Sequence, residues 1–226
     1  MNEILINRYP KSSVTEAIKT VRTNLKFSSI NKKIQTILIT SSVANEGKSF
    51  ISANLAASFA TNTEKVLLID CDLRRGRQLQ IFENGTESPL GLSNLLIDDN
   101  WEKNLKKYIK PTEVYNLDVL TTGSMPPNPS ALLESKKIEK VVEHLKEKYD
   151  IIIFDTTPVI GLTDALVMTR LADTVLIVAR AKKTSMETLE ATKEALENVN
   201  ANISGIILNR VENSNNKYYK NYYQTY

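Results

Sequence analysis

The chain of 226 residues has one cysteine and one histidine, Cys71 and His144, which excludes an internal disulfide framework and any Cys/His metal site. A bound metal must therefore be held by oxygen. A single cysteine also fits a reducing compartment. No apolar run approaches the roughly 20 residues of a membrane-spanning helix, and the polar start from Met1 to Arg8 lacks the apolar core of a signal peptide. These absences predict a soluble chain of the cytoplasm. Charge of one sign is scarce as well: 29 Lys plus Arg stand against 26 Asp plus Glu, without strong clustering, so a nucleic-acid partner is not expected.

What is present suffices for one α/β domain, since 42% of the residues are hydrophobic. Short runs rich in Ile, Leu and Val recur at Thr36 to Ile39, Val66 to Ile69, Leu117 to Leu120, Ile151 to Phe154, Thr174 to Val178 and Gly205 to Leu208. Continuous rather than alternating apolarity marks strands buried on both faces, as in a parallel sheet covered by helices. Helical patterns lie between them at Ser49 to Ala60, Lys136 to Lys148 and Ser185 to Val199. The repeated βα order predicts a doubly wound, mostly parallel sheet. Three parts are expected: an N-terminal helical segment (1–33), a P-loop domain (34–212) and a tail (213–226). In the first, a helix from Val14 to Phe27 carries Ala17, Ile18, Val21 and Leu25 as one apolar stripe, and Asn128 before Pro129 reads as a helix N-cap.

The first strand runs into Ser41-Ser42-Val43-Ala44-Asn45-Glu46-Gly47-Lys48-Ser49 and then a helix, the context of a P-loop. Such a loop turns backbone N–H groups toward phosphates at a helix N-terminus. Lys48 is expected to reach the β- and γ-phosphates of ATP, and Ser49 to offer its hydroxyl to Mg²⁺. Asn45, Glu46, Gly47, Lys48, Ser49 and Phe50 form the expected nucleotide-binding segment. Ser42 stands where the motif has glycine, and Asn45 where related loops often have another; asparagine is the next-best residue for positive φ.

The second strand ends in Asp70-Cys71-Asp72 and a later one in Asp155, at the strand ends where a doubly wound fold places its ligand. A carboxylate that takes the proton of an attacking hydroxyl as the bond to phosphorus forms assists phosphoryl transfer. Lys48, Asp70 and Asp72 are the candidate catalytic residues. Asp70 is the expected base, with Ser49, Asp72 and Asp155 holding Mg²⁺ directly or through water.

With these residues in place the chain resembles the bacterial tyrosine kinases of capsule and exopolysaccharide synthesis, in the form without its own membrane segment. The resemblance rests on Asn45 to Ser49, on Leu67 to Arg74, on Ile151 to Asp155 and on Pro126-Pro127-Asn128-Pro129. It implies autophosphorylation of a C-terminal tyrosine cluster, usually between neighbouring subunits of a ring. Of nine tyrosines, five lie at Tyr218, Tyr219, Tyr222, Tyr223 and Tyr226. It further implies a membrane-anchored activator whose cytoplasmic tail completes the nucleotide site, an opposing tyrosine phosphatase, and recruitment to the inner face of the plasma membrane.

The family's Glu-x-x-Arg-x-x-Arg ring-interface helix corresponds to Glu16, Lys19 and Arg22, where lysine replaces the first arginine and loses its bidentate fork. The same stripe also suits a helix packed on its own domain. Thr157 stands where the family has a second proline, and Asn209 is either an adenine contact or a strand-end cap. A positioning ATPase of the septum-site or partitioning class shares the expected fold, but its signature lysine position is Val43 here. A non-catalytic ATP-binding adaptor is the other alternative.

Overall fold

The computed structural model describes residues 3–28, 33–82 and 90–212, so the tyrosine cluster lies outside the described residues. Among the described residues seven strands form one sheet: β1 (Thr36–Ser41), β2 (Val66–Asp70), β3 (Ile109–Pro111), β4 (Leu117–Leu120), β5 (Ile151–Asp155), β6 (Thr174–Arg180) and β7 (Ile203–Asn209). Their order is β3-β4-β2-β5-β1-β6-β7, parallel throughout except for the antiparallel β3–β4 pair. The doubly wound architecture follows from the aliphatic runs. Every residue of β1, β2 and β5 is buried, because helices cover both faces of the centre.

The helices are α1 (Leu5–Arg8), α2 (Ser13–Ser28), α3 (Lys48–Ala60), α4 (Gln78–Phe82), α5 (Leu92–Ile97), α6 (Trp101–Tyr108), α7 (Pro129–Glu134), α8 (Lys136–Lys146), α9 (Asp164–Met168) and α10 (Met186–Glu197). One face of the sheet packs Ile37 and Ile39 against Ile51, Leu55 and Phe59 of α3, joined by Ile18 and Leu25 of α2. The opposite face packs Leu38, Leu67 and Ile152 against Leu105, Val141, Leu145 and Leu196. The connection after β1 runs through α3 on the first face, whereas Ala165 and Met168 of α9, which follows β5, sit in the second cluster. Adjacent strands whose connections leave on opposite faces open a crevice at their carboxyl ends, and β1 and β5 are such a pair.

Several elements depart from the sequence reading. Strand β3 was not anticipated, since it is only three residues long, ends in Pro111 and is partly exposed at the sheet edge. Strand β7 is longer than its apolar run and alternates in burial, leaving Ile206 and Leu208 51% and 58% exposed, as suits an edge strand. On α2 the inward stripe is Thr15, Ile18, Val21 and Leu25, whereas Ala17 is exposed. Asn128 does cap α7, accepting a hydrogen bond from Ala131 N at 3.2 Å with Pro129 in the first turn. Among the described residues no helix is long and apolar enough to cross a membrane.

The N-terminal helices are fastened to α3. Leu5 N donates to Asn54 Oδ1 at 2.8 Å, and Asn54 Nδ2 donates to the Glu3 carbonyl at 3.1 Å. Nearer the far end of α3, Arg22 Nη1 donates to the Ser58 carbonyl at 2.5 Å. Lys19 Nζ pairs with Glu16 Oε1 at 2.7 Å and also reaches the Pro10 carbonyl at 3.3 Å. Within the single chain, all three side chains of the Glu16, Lys19, Arg22 motif therefore have partners.

Candidate active site

The loop between β1 and α3 takes a conformation that few residues tolerate. Asn45 has φ 65° and Gly47 φ 98°, both in the left-handed region. A Cβ at Gly47 would lie 2.1 Å from Asn209 Nδ2, so glycine is required by contact as well as by φ. Asn209 in turn donates from Nδ2 to the Glu46 carbonyl at 2.8 Å and accepts from Arg210 N at Oδ1, also at 2.8 Å. Its amide is thus engaged with the loop and the strand end. Gly47→Ala is expected to cost about 1–3 kcal/mol of strain. Where that falls on the loop's binding conformation, nucleotide affinity drops roughly 5- to 150-fold, which titration with a fluorescent nucleotide will measure.

Glu46 is buried inside this loop rather than directed outward. Its Oε2 accepts from Val43 N at 3.0 Å, and its Oε1 accepts from the Thr184 hydroxyl and from Arg180 N, the latter at 3.4 Å. The carboxylate ties the loop to the turn after β6, which leaves its backbone rather than its side chain to meet a phosphate. Phe50 packs partly into the core, so it too has only its backbone to offer. Ser42, at the place of a glycine, is fully buried, with an Oγ that has no hydrogen-bond partner among the described residues.

Lys48 and Ser49 open α3, whose unpaired N–H groups and dipole favour an anion at this end. Lys48 is 8% exposed; burial lowers its ammonium pKa, against the opposing attraction of Asp155, Asp72, Glu46 and Asp70. The strands bring the acidic residues together. Asp70 and Asp155 are register partners on β2 and β5, at 1% and 0% exposure. Burial, and then the charge of Asp155, holds the Asp70 carboxyl well above the usual carboxylate range. Burial likewise raises Asp155, partly offset by hydrogen bonds from Gln78, Ser49 and Ser52 and by the charge of Lys48. Two adjacent buried carboxylates destabilise each other's ionised form, so the pair favours a cation between them. Asp72 is only half-buried, and its Oδ1 accepts from Arg75 N at 2.9 Å and Arg74 N at 3.3 Å.

Other side chains complete the site. Arg74 Nε donates to Asp164 Oδ2 at 2.9 Å and Nη2 to Ser130 Oγ at 3.0 Å, which ties the acidic segment to α7 and α9. At Gly76 a Cβ would meet Thr122 Cγ2 at 2.2 Å and Asp70 Oδ2 at 2.6 Å, so only glycine lets the segment fold over that carboxylate. Gln78 donates to both buried carboxylates.

The oxygen donors Ser49, Asp72 and Asp155 suit Mg²⁺, and a positive-φ glycine at a helix mouth suits a phosphate chain. The arrangement is that of a P-loop nucleotide site. A family model described as an AAA domain matches residues 34–208. The septum site-determining protein MinD from Pyrococcus horikoshii, solved with Mg-ADP, superposes with a TM-score of 0.65 at 24% identity, over 80% of this chain and 72% of that one, and so shares the fold. The likeness is greater to the kinase domain of the Escherichia coli tyrosine kinase ETK, with a TM-score of 0.87 at 34% identity over 94% of this chain and 82% of that one. Tyrosine-protein kinase YwqD of Bacillus subtilis is 36% identical over 96% of this chain and 89% of its own length. By that extent and degree of similarity, the chain belongs to the bacterial tyrosine-protein kinases.

Proposed function

We propose that this kinase uses Mg·ATP to phosphorylate its own C-terminal tyrosines, Tyr218, Tyr219, Tyr222, Tyr223 and Tyr226, and by doing so regulates capsular or exopolysaccharide synthesis. The observation that carries the reading is the convergence of Lys48, the N-terminus of α3 and the three carboxylates at the carboxyl ends of β2 and β5. In this reading Lys48 and the backbone of Asn45 to Phe50 hold the phosphates. Ser49, Asp72 and Asp155 hold Mg²⁺, which when bound neutralises charge on the transferring group.

Asp70 accepts the proton of the tyrosine hydroxyl as its oxygen bonds to the γ-phosphorus and the bond to the leaving oxygen of ADP breaks. Asn209, beside Gly47 at the rim, is placed to meet the nucleotide only if its amide leaves the Glu46 carbonyl.

The 17 residues after Asn209 span at most about 60 Å when extended, which is long enough to enter the site of a neighbouring copy in a ring. The interface of that ring involves Glu16, Lys19 and Arg22 on α2. A membrane-anchored activator with a cytoplasmic tail switches the kinase on at the inner face of the plasma membrane, and a tyrosine phosphatase reverses the modification.

The deciding experiment is intact-mass and peptide mass spectrometry of the full chain incubated with Mg·ATP, with and without the tail peptide of a candidate activator. Phosphate on the residues between Tyr218 and Tyr226 is the expected result. ATP binding without phosphate, even in the presence of activator, would instead favour the adaptor or positioning-switch reading.

A further inference from the structure

Gln78 is fully buried in the first turn of α4, where a polar side chain is costly unless it is paired. Its pairing is specific. The backbone N–H donates to Asp70 Oδ2 at 2.9 Å, while the side-chain Nε2 donates to Asp155 Oδ2 at 2.8 Å and to the Ser49 carbonyl at 3.1 Å. One residue thus touches the end of β2, the end of β5 and the first turn of the P-loop helix.

The amide orientation is fixed by these partners, because a flipped amide would turn its oxygen toward two acceptors. Its Oε1 remains buried with no hydrogen-bond partner among the described residues. An apolar residue would fill this place without leaving a buried acceptor unmatched, so packing alone does not account for glutamine here.

We infer that Gln78 is a positioning residue that holds Asp70 and Asp155 in register with Ser49 and so sets the affinity of the site for Mg²⁺; the inference rests on the Mg·ATP reading given above. Its substitution acts on the metal through the carboxylates rather than on the phosphates directly. Supporting groups one step removed from a metal typically contribute 10- to 100-fold to affinity or activity.

The test is Gln78→Met, which keeps the length of the side chain and the backbone donor to Asp70 but removes the amide. ADP affinity is measured on the full chain by fluorescent-nucleotide titration in Mg²⁺ and in EDTA, beside thermal melting. The expected result is that the gain in ADP affinity on adding Mg²⁺ falls about 10- to 100-fold, with the EDTA affinity within twofold of wild type. If Gln78→Met does not fold, Gln78→Asn, which keeps the amide but cannot span the same partners, is expected to show the same loss. An unchanged Mg²⁺ gain in the folded variant overturns the inference. So does an equal fall in EDTA affinity, which would make the role of Gln78 purely structural. A wild-type chain with no Mg²⁺ gain at all removes the underlying reading with it, a result distinct from either variant outcome.

Discussion

Lys48→Met is expected to lower tail phosphorylation by about 10²- to 10³-fold, the usual consequence of deleting one preorganised group that stabilises charge in the transition state. The fold is expected to survive. The lysine stem is already buried, methionine occupies nearly the same volume, and the substitution removes an ammonium that burial disfavours. Two measurements separate these effects. Initial rates of phosphate incorporation, read by mass spectrometry, should collapse, whereas the melting temperature without nucleotide should move by only a few degrees. Saturating Mg·ATP at 100 times its dissociation constant should stabilise wild type by about 2.7 kcal/mol, and much of that gain should vanish in the variant. Turnover within threefold of wild type would remove Lys48 from the site.

Asp70→Asn tests the division of labour among the carboxylates. A general base contributes roughly 10²- to 10⁴-fold, so kcat should fall by that factor while nucleotide affinity stays close to wild type. The Asn carbonyl can still accept the Gln78 N–H that Asp70 Oδ2 accepts, while the amide nitrogen that replaces Oδ1 gives up the hydrogen bond from Asp72 N at 3.2 Å. Because Asp70 and Asp155 are buried register partners, removing one charge also relieves their repulsion, which offsets that loss, and the nucleotide-free variant should melt within a few degrees of wild type. Full activity would transfer the base role elsewhere, with Asp72, the half-buried carboxylate beside it, as the next candidate.

Much of this architecture could be read from local sequence, because burial on both faces forces continuous aliphatic runs in β1, β2 and β5. The edges were harder to read. In β3 three residues and a proline carry no period, and in β7 alternating burial hides the strand ends. At the loop, Asn45 in place of a glycine was interpretable from its tolerance of positive φ, and it does sit at φ 65°. Gln78 was not, since nothing about its position in the chain announces a contact with Asp155, 77 residues away. Arg22 presents the same difficulty: its partner is a main-chain oxygen at Ser58, and a carbonyl leaves no mark in a sequence. Long-range pairs between unlike groups become visible only once the sheet sets them side by side.

The position of β5 between β2 and β1 has a consequence for the birth of the protein. The two strands made first do not pair with each other, because the place between them belongs to a strand made some eighty residues after β2 ends. A nascent chain therefore carries its P-loop and first acidic segment on strands that remain unjoined until Ile151–Asp155 has left the ribosome. Contacts of such sequence separation slow folding and leave aliphatic edges uncovered meanwhile. The insertion that joins β2 to β1 also delivers Asp155 beside Asp70, whereas the groups that hold the P-loop's Glu46, at Arg180, Thr184 and Asn209, are made later still.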